Sequence, residues 1–106
     1  MNNSTAMSEW IYFLHPPREN FAATMTEAER SAWGRHFEWL HGLLAEGRLV
    51  LAGPTGGAVN TGIAIFEAAD EEAARRTITY DPVTREGHAR GELRPFEVGL
   101  LRGRDG

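Results

Sequence analysis

The chain predicts an α+β fold of the ferredoxin-like type, βαββαβ: an antiparallel four-stranded sheet with two helices on one face. Three observations lead there. Four apolar runs of strand length alternate with two stretches of helical periodicity, Gly and Pro turn signals separate them, and 106 residues suffice for a single small core.

Trp10-Ile11-Tyr12-Phe13-Leu14 is an aromatic and β-branched run closed by His15-Pro16-Pro17, so it reads as the first strand. Arg18 to Met25 reads as a loop. Thr26-Glu27-Ala28-Glu29 has the Ser/Thr-x-x-Glu form in which side chains satisfy the free amides at a helix start. In the helix that follows, Trp33, Phe37, Leu40 and Leu44 recur at three- and four-residue spacing and mark the expected buried stripe, with Gly47 as the stop. Phe37 and Leu40, near the centre of that stripe, are expected to be structural residues and not ligand contacts.

Leu49-Val50-Leu51-Ala52 is a second strand, closed by Gly53-Pro54 and Thr55-Gly56-Gly57. Gly62-Ile63-Ala64-Ile65-Phe66 is a third, reached through a hairpin-like loop. Asp70 suits the N-cap of a second helix, with Glu71 and Glu72 in its first turn, and the β-branched Thr77-Ile78-Thr79 weakens its end. Leu93 to Leu101 carries the last strand pattern, with Phe96, Val98 and Leu100 on one side. Pro95 inside it implies an edge or a bulge. Residues 1–8 are expected to form a disordered tail before one domain over 9–103.

A lone sheet of this kind alternates apolar and polar residues, because its second face meets water. Here Trp10, Tyr12 and Leu14 oppose Ile11 and Phe13, and Ile63 and Ile65 oppose Ala64 and Phe66. Both faces read as buried. A second copy packed sheet against sheet, a homodimer, is the simplest cover.

Composition narrows the function classes. At 42% hydrophobic and 25% charged the chain is an ordinary globular type, and a net charge of -4 argues against nucleic acid, whose phosphates call for a basic patch. No stretch reaches the ~20 apolar residues of a membrane span. The absence of cysteine excludes disulfides and thiolate catalysis. No signal-peptide pattern is present, which favours the cytoplasm.

With no phosphate-cradling glycine loop and no nucleophilic-serine elbow, acid–base work by a histidine oriented by a carboxylate is the leading chemistry. His36, at the margin of the helix stripe, and Asp81, opening the turn Asp81-Pro82, are the pair to test. Each has a plainer explanation: a half-buried histidine at the core edge, and an N-cap before a first-turn proline. His15, His36, His41 and His88 match no metal-ligand spacing, so no metal site is expected. His15, Tyr12, Arg35 and the Gly53-Pro54 turn are candidate ligand contacts, against the ordinary roles of strand end, core tyrosine, solvated arginine and turn.

Three runs together resemble the YciI-like family, or YCII-related domain: Arg35-His36 with Leu40 and Gly47-Arg48-Leu49; Ala52-Gly53-Pro54; and Asp81-Pro82 with Gly87 and Glu92-Leu93-Arg94-Pro95-Phe96. The resemblance implies a dimeric α/β barrel of ferredoxin-like protomers with an active site built on His36 and Asp81. It departs from the family pattern at Val83, where members more often carry Phe. Some members are linked to breakdown of aromatic compounds. The expected function is therefore a small-molecule enzyme using a His36–Asp81 acid/base dyad on a cyclic or aromatic compound by isomerisation, elimination or hydrolysis. A non-catalytic small-molecule-binding or regulatory module is the alternative, and no cofactor is indicated.

Overall fold

Four strands and two long helices alternate as the apolar runs require. The computed structural model describes residues 7–103, so most of the expected tail lies outside the described residues. Ser8, however, already belongs to the first strand. The elements are β1 (Ser8–His15), α1 (Phe21–Thr24), α2 (Glu27–Ala45), β2 (Leu49–Pro54), β3 (Gly62–Ala68), α3 (Glu71–Ile78), α4 (Pro82–Arg85) and β4 (Arg90–Phe96). The sheet order is β2-β3-β1-β4, antiparallel throughout, which is the ferredoxin-like arrangement.

Local chemistry sets the helix starts. Thr26 and Glu29 form a reciprocal cap at the head of α2, with Glu29 N–H donating to Thr26 Oγ1 at 3.1 Å and Thr26 N–H donating to Glu29 Oε1 at 2.8 Å. Asp70 caps α3 by accepting from Ala73 N–H at 2.8 Å. Gly47, at φ 75°, ends the first long helix in the left-handed region where a side chain is disfavoured.

The core lies between the helices and one sheet face. Trp10, Tyr12 and Leu14 of β1 and Ala64, Phe66 and Ala68 of β3 meet Ala32 and Leu40 of α2, Ala74 of α3 and Val83 of α4. On the other face Ile11, Phe13 and Ile63 are half-buried and Leu51 is 45% exposed. That face is not apolar throughout, because the register sets Glu92 beside Phe13, Arg94 beside Ile11 and Arg90 beside His15.

Several segments differ from expectation. Arg18 to Met25 is not all loop, because Phe21–Thr24 makes one helical turn. β2 continues through Gly53-Pro54, which an edge strand tolerates because proline's missing N–H faces no partner. β4 runs Arg90–Phe96 and not Leu93–Leu101, because its ladder partner β1 reaches only to the Glu9–Phe96 pair; Val98 and Leu100 fall outside it. Pro95 does sit on an edge strand. The buried line of α2 is Glu29, Ala32, His36, Leu40 and Leu43, one position round from Trp33, Phe37 and Leu44. Phe37 is 54% exposed and is not a core residue, whereas Leu40, at 7%, is. Among the described residues, no helix is long and apolar enough to cross a membrane.

Candidate functional site

His36 lies at the middle of the buried face of α2 and not at its margin. Its Nδ1 is 2.9 Å from Oδ1 of Asp81. Asp81 arrives there as the N-cap of α4: its Oδ1 also accepts from Val83 N–H at 3.0 Å, and Pro82 occupies the first helical position. The cap and the histidine contact thus coexist on one carboxylate. Its second oxygen accepts from the hydroxyl of Tyr12 at 2.6 Å.

Asp81 is fully buried and Tyr12 nearly so. Burial first, and then the charge and hydrogen bond of Asp81, push the Tyr12 phenol far above its ordinary value, so the hydroxyl keeps its proton and donates. A carboxylate accepts only, so His36 Nδ1–H is the donor, and in the neutral ring Nε2 carries the lone pair. No buried side-chain nitrogen or oxygen among the described residues lacks a partner. Nε2 makes no such bond and therefore keeps contact with open space.

His36 is among the residues that line a cavity of about 240 Å³. Tyr12, Leu14, Phe21, Met25, Trp33, His36, Phe37 and Pro54 are among its walls. Trp33, Phe37 and Trp39 surround the imidazole, their ring centroids 5.9, 5.7 and 5.7 Å from it. Asn60, also on the wall, is engaged: Oδ1 accepts from Ala22 N–H at 3.1 Å and Nδ2 donates to the carbonyl of Gly57 at 3.2 Å.

The structure therefore brings His36, Asp81, Tyr12 and Pro54 together and leaves two proposed contacts elsewhere. His15 projects from the opposite sheet face, bonded to Glu92 Oε1 at 2.9 Å and stacked on Phe13. It has the strand parity of Ile11 and Phe13, opposite to Tyr12. Arg35 points outward into an ion pair with Glu86. Phe21, Met25 and Phe37 are wall residues that the sequence reading missed. Their signal was weak, since a large apolar residue reads as core whether it faces protein or a void. Among the described residues no group of three or more His, Asp or Glu is placed to hold a metal ion.

Fold and site define a ferredoxin-like α+β domain with a buried Tyr12–Asp81–His36 hydrogen-bond cluster beside an apolar cavity. The family model of the YCII-related domain matches residues 10–97, and the chain belongs to that family. Among solved structures, it is similar to 5-chloro-2-hydroxyhydroquinone dehydrochlorinase (TftG) from Burkholderia phenoliruptrix AC1100, in complex with 2,5-dihydroxybenzoquinone. That match has 15% identity and a TM-score of 0.62, covering 83% of this chain and 93% of that one. A second similar structure is MtbAldR, at 13% identity and TM-score 0.55, covering 98% of this chain and 62% of that one. At these identities the likeness is one of fold. No curated protein matches the chain.

Proposed function

We propose that the protein is an enzyme in which His36 acts as general base or acid on a small cyclic or aromatic molecule, with Asp81 holding the imidazole. The observation that carries this reading is the 2.9 Å contact between His36 Nδ1 and buried Asp81, made by a histidine that lines an apolar cavity and whose Nε2 is left without a hydrogen bond among the described residues. Nε2 takes a proton from the substrate, and the carboxylate compensates the charge that forms on the ring. The Tyr12 and Val83 donors keep that carboxylate fixed and acceptor-only. Isomerisation, elimination and hydrolysis all draw on this step. Elimination gains support from the fold relative TftG, a dehydrochlorinase by name, crystallised with a ring compound. Tyr12 and Pro54 are the expected ligand contacts on the wall, with Phe37 added.

The test is an absorbance screen of hydroxylated and halogenated benzenes and quinones, repeated with His36→Ala and Asp81→Asn. Turnover by the wild type that falls about 10²-fold or more in His36→Ala is expected. Equal turnover by His36→Ala would sink the reading. Saturable binding without turnover would make the protein a small-molecule-binding module instead.

A second copy covering the outer sheet face belongs to the same proposal. Ile11, Phe13, Leu51 and Ile63 form an apolar patch there, and the Arg90, Glu92 and Arg94 row gives it a charged border. Sedimentation equilibrium at micromolar concentration should report a dimer, and a well-folded monomer would remove this cover.

A further inference from the structure

We infer that Tyr12 is a positioning residue of the acid–base cluster: its hydroxyl holds the carboxylate of Asp81 and thereby sets how tightly His36 binds its proton. The inference rests on the proposed role of His36. Three features of the structure carry it.

The first is the bond itself. The phenol donates to Oδ2 at 2.6 Å while the imidazole takes Oδ1, so each oxygen of a fully buried carboxylate has its own side-chain donor. The second is the seat built for the ring. Tyr12 packs edge-on against Trp39 at 6.0 Å, and Trp39 also flanks the imidazole. A Cβ on Gly91 would stand 2.9 Å from Cε1 of Tyr12 and 3.3 Å from its hydroxyl oxygen, so β4 leaves room for the phenol where any larger residue would displace it. The third is that the hydroxyl is taken. It is bound to Asp81 and lies 3.3 Å from Thr84 Oγ1, so although the ring lines the cavity its polar end serves the carboxylate.

The direction of the effect follows from charge. A donor on Oδ2 spreads and stabilises the negative charge of Asp81, most of all when His36 is neutral and the carboxylate has no cation beside it. Without that donor the pair would take up its proton at higher pH. Arg85 of α4 and Arg75 of α3, the latter paired with Glu71, line a groove together with Tyr12 and Thr84. Arg35 of α2 binds Glu86 beyond α4, Glu29 at the head of α2 binds Arg18, and His15 of β1 binds Glu92 of β4 across the other sheet face.

The experiment follows each histidine ring by NMR from about pH 5 to pH 9 in the wild type and in Tyr12→Phe, which keeps the ring and removes the hydroxyl. The His36 midpoint should move up by about half a pH unit or more, with His41 unmoved. An unchanged or lowered midpoint in the folded variant overturns the inference and returns Tyr12 to core packing. Should the variant fail to fold, wild-type protein carrying ¹³C at the tyrosine ring carbon bonded to oxygen decides it. A Tyr12 signal that inflects at the midpoint of His36 supports the coupling, and a flat one across that range refutes it. Neither measurement needs a substrate, so failure of the turnover screen and failure of this coupling are separate results. If a substrate is found, the pH profile of kcat/KM should shift in the same direction as the NMR midpoint.

Discussion

Arg18 grips Glu29 with two guanidinium N–H groups, one donating to Oε2 at 3.0 Å and one to Oε1 at 2.8 Å. The same guanidinium donates to the carbonyl of Thr24 at 2.6 Å and lies 5.0 Å over the ring of Phe21. One side chain thus ties α1, a wall of the cavity, to the first turn of α2.

The Arg18 bond, with the backbone N–H of Thr26 adding to it, holds the Glu29 carboxyl down at about 2, against an ordinary 4.5. A depressed carboxyl contributes stability above its unfolded value and loses it as pH falls toward the folded one. Wild-type stability should therefore drop between about pH 4.5 and pH 2 more steeply than that of Glu29→Gln. Urea midpoints across that range check this, and parallel curves would show that the latch contributes nothing.

Leu40→Ala should cost about 2–5 kcal/mol, because the side chain is buried in the main core. Phe37→Ala should cost much less, since more than half of that residue is exposed, and it should weaken any ring compound bound beside His36. Chemical denaturation ranks the two, and the reverse order would contradict the observed face of α2.

Asp81→Asn removes the charge and keeps the shape. The protonated imidazole loses its counter-ion, so His36 should titrate at lower pH in the variant, while exposed His41 stays where it was. NMR titration reads this directly. An unmoved His36 in a folded variant would mean that Asp81 acts only as the cap of α4.

Gly91→Ala should destabilise the fold despite its small size, because the new methyl meets the Tyr12 ring at 2.9 Å and the methyl of Thr84 at 3.2 Å. About 1–3 kcal/mol is expected for such overpacking. Gly53→Ala, with nothing within 4 Å of its added Cβ, is the control.

Much of the architecture was legible because its punctuation is local. Thr26 with Glu29, Asp70, Gly47 and the Pro16-Pro17 stop each act within a few residues, and the family resemblance joined His36 to Asp81. What stayed hidden depends on distant partners. A polar residue in a buried line looks wrong until its mate is known, and His36 finds Asp81 45 residues away while Glu29 finds Arg18 at 11. Size misled as well: Trp33 and Phe37 read as core because periodicity cannot tell a packed neighbour from a cavity. His15 was readable in principle, since its parity along β1 puts it on the far face from Tyr12. The charged row of β4 was readable only once the register was known.

β1 sits inside the sheet and pairs with β3 and β4, never with β2, so every ladder it makes joins distant parts of the chain. The same holds for the Tyr12–Asp81–His36 cluster, whose bonds span 45 and 69 residues. Closing loops of that length is the slow part of folding, and local helices precede it. A chain emerging from the ribosome presents Tyr12 and His36 long before Asp81 exists beside them. Until α4 docks on α2, His36 has no carboxylate at its Nδ1, so an incompletely folded molecule lacks the buried pair as well as the pocket.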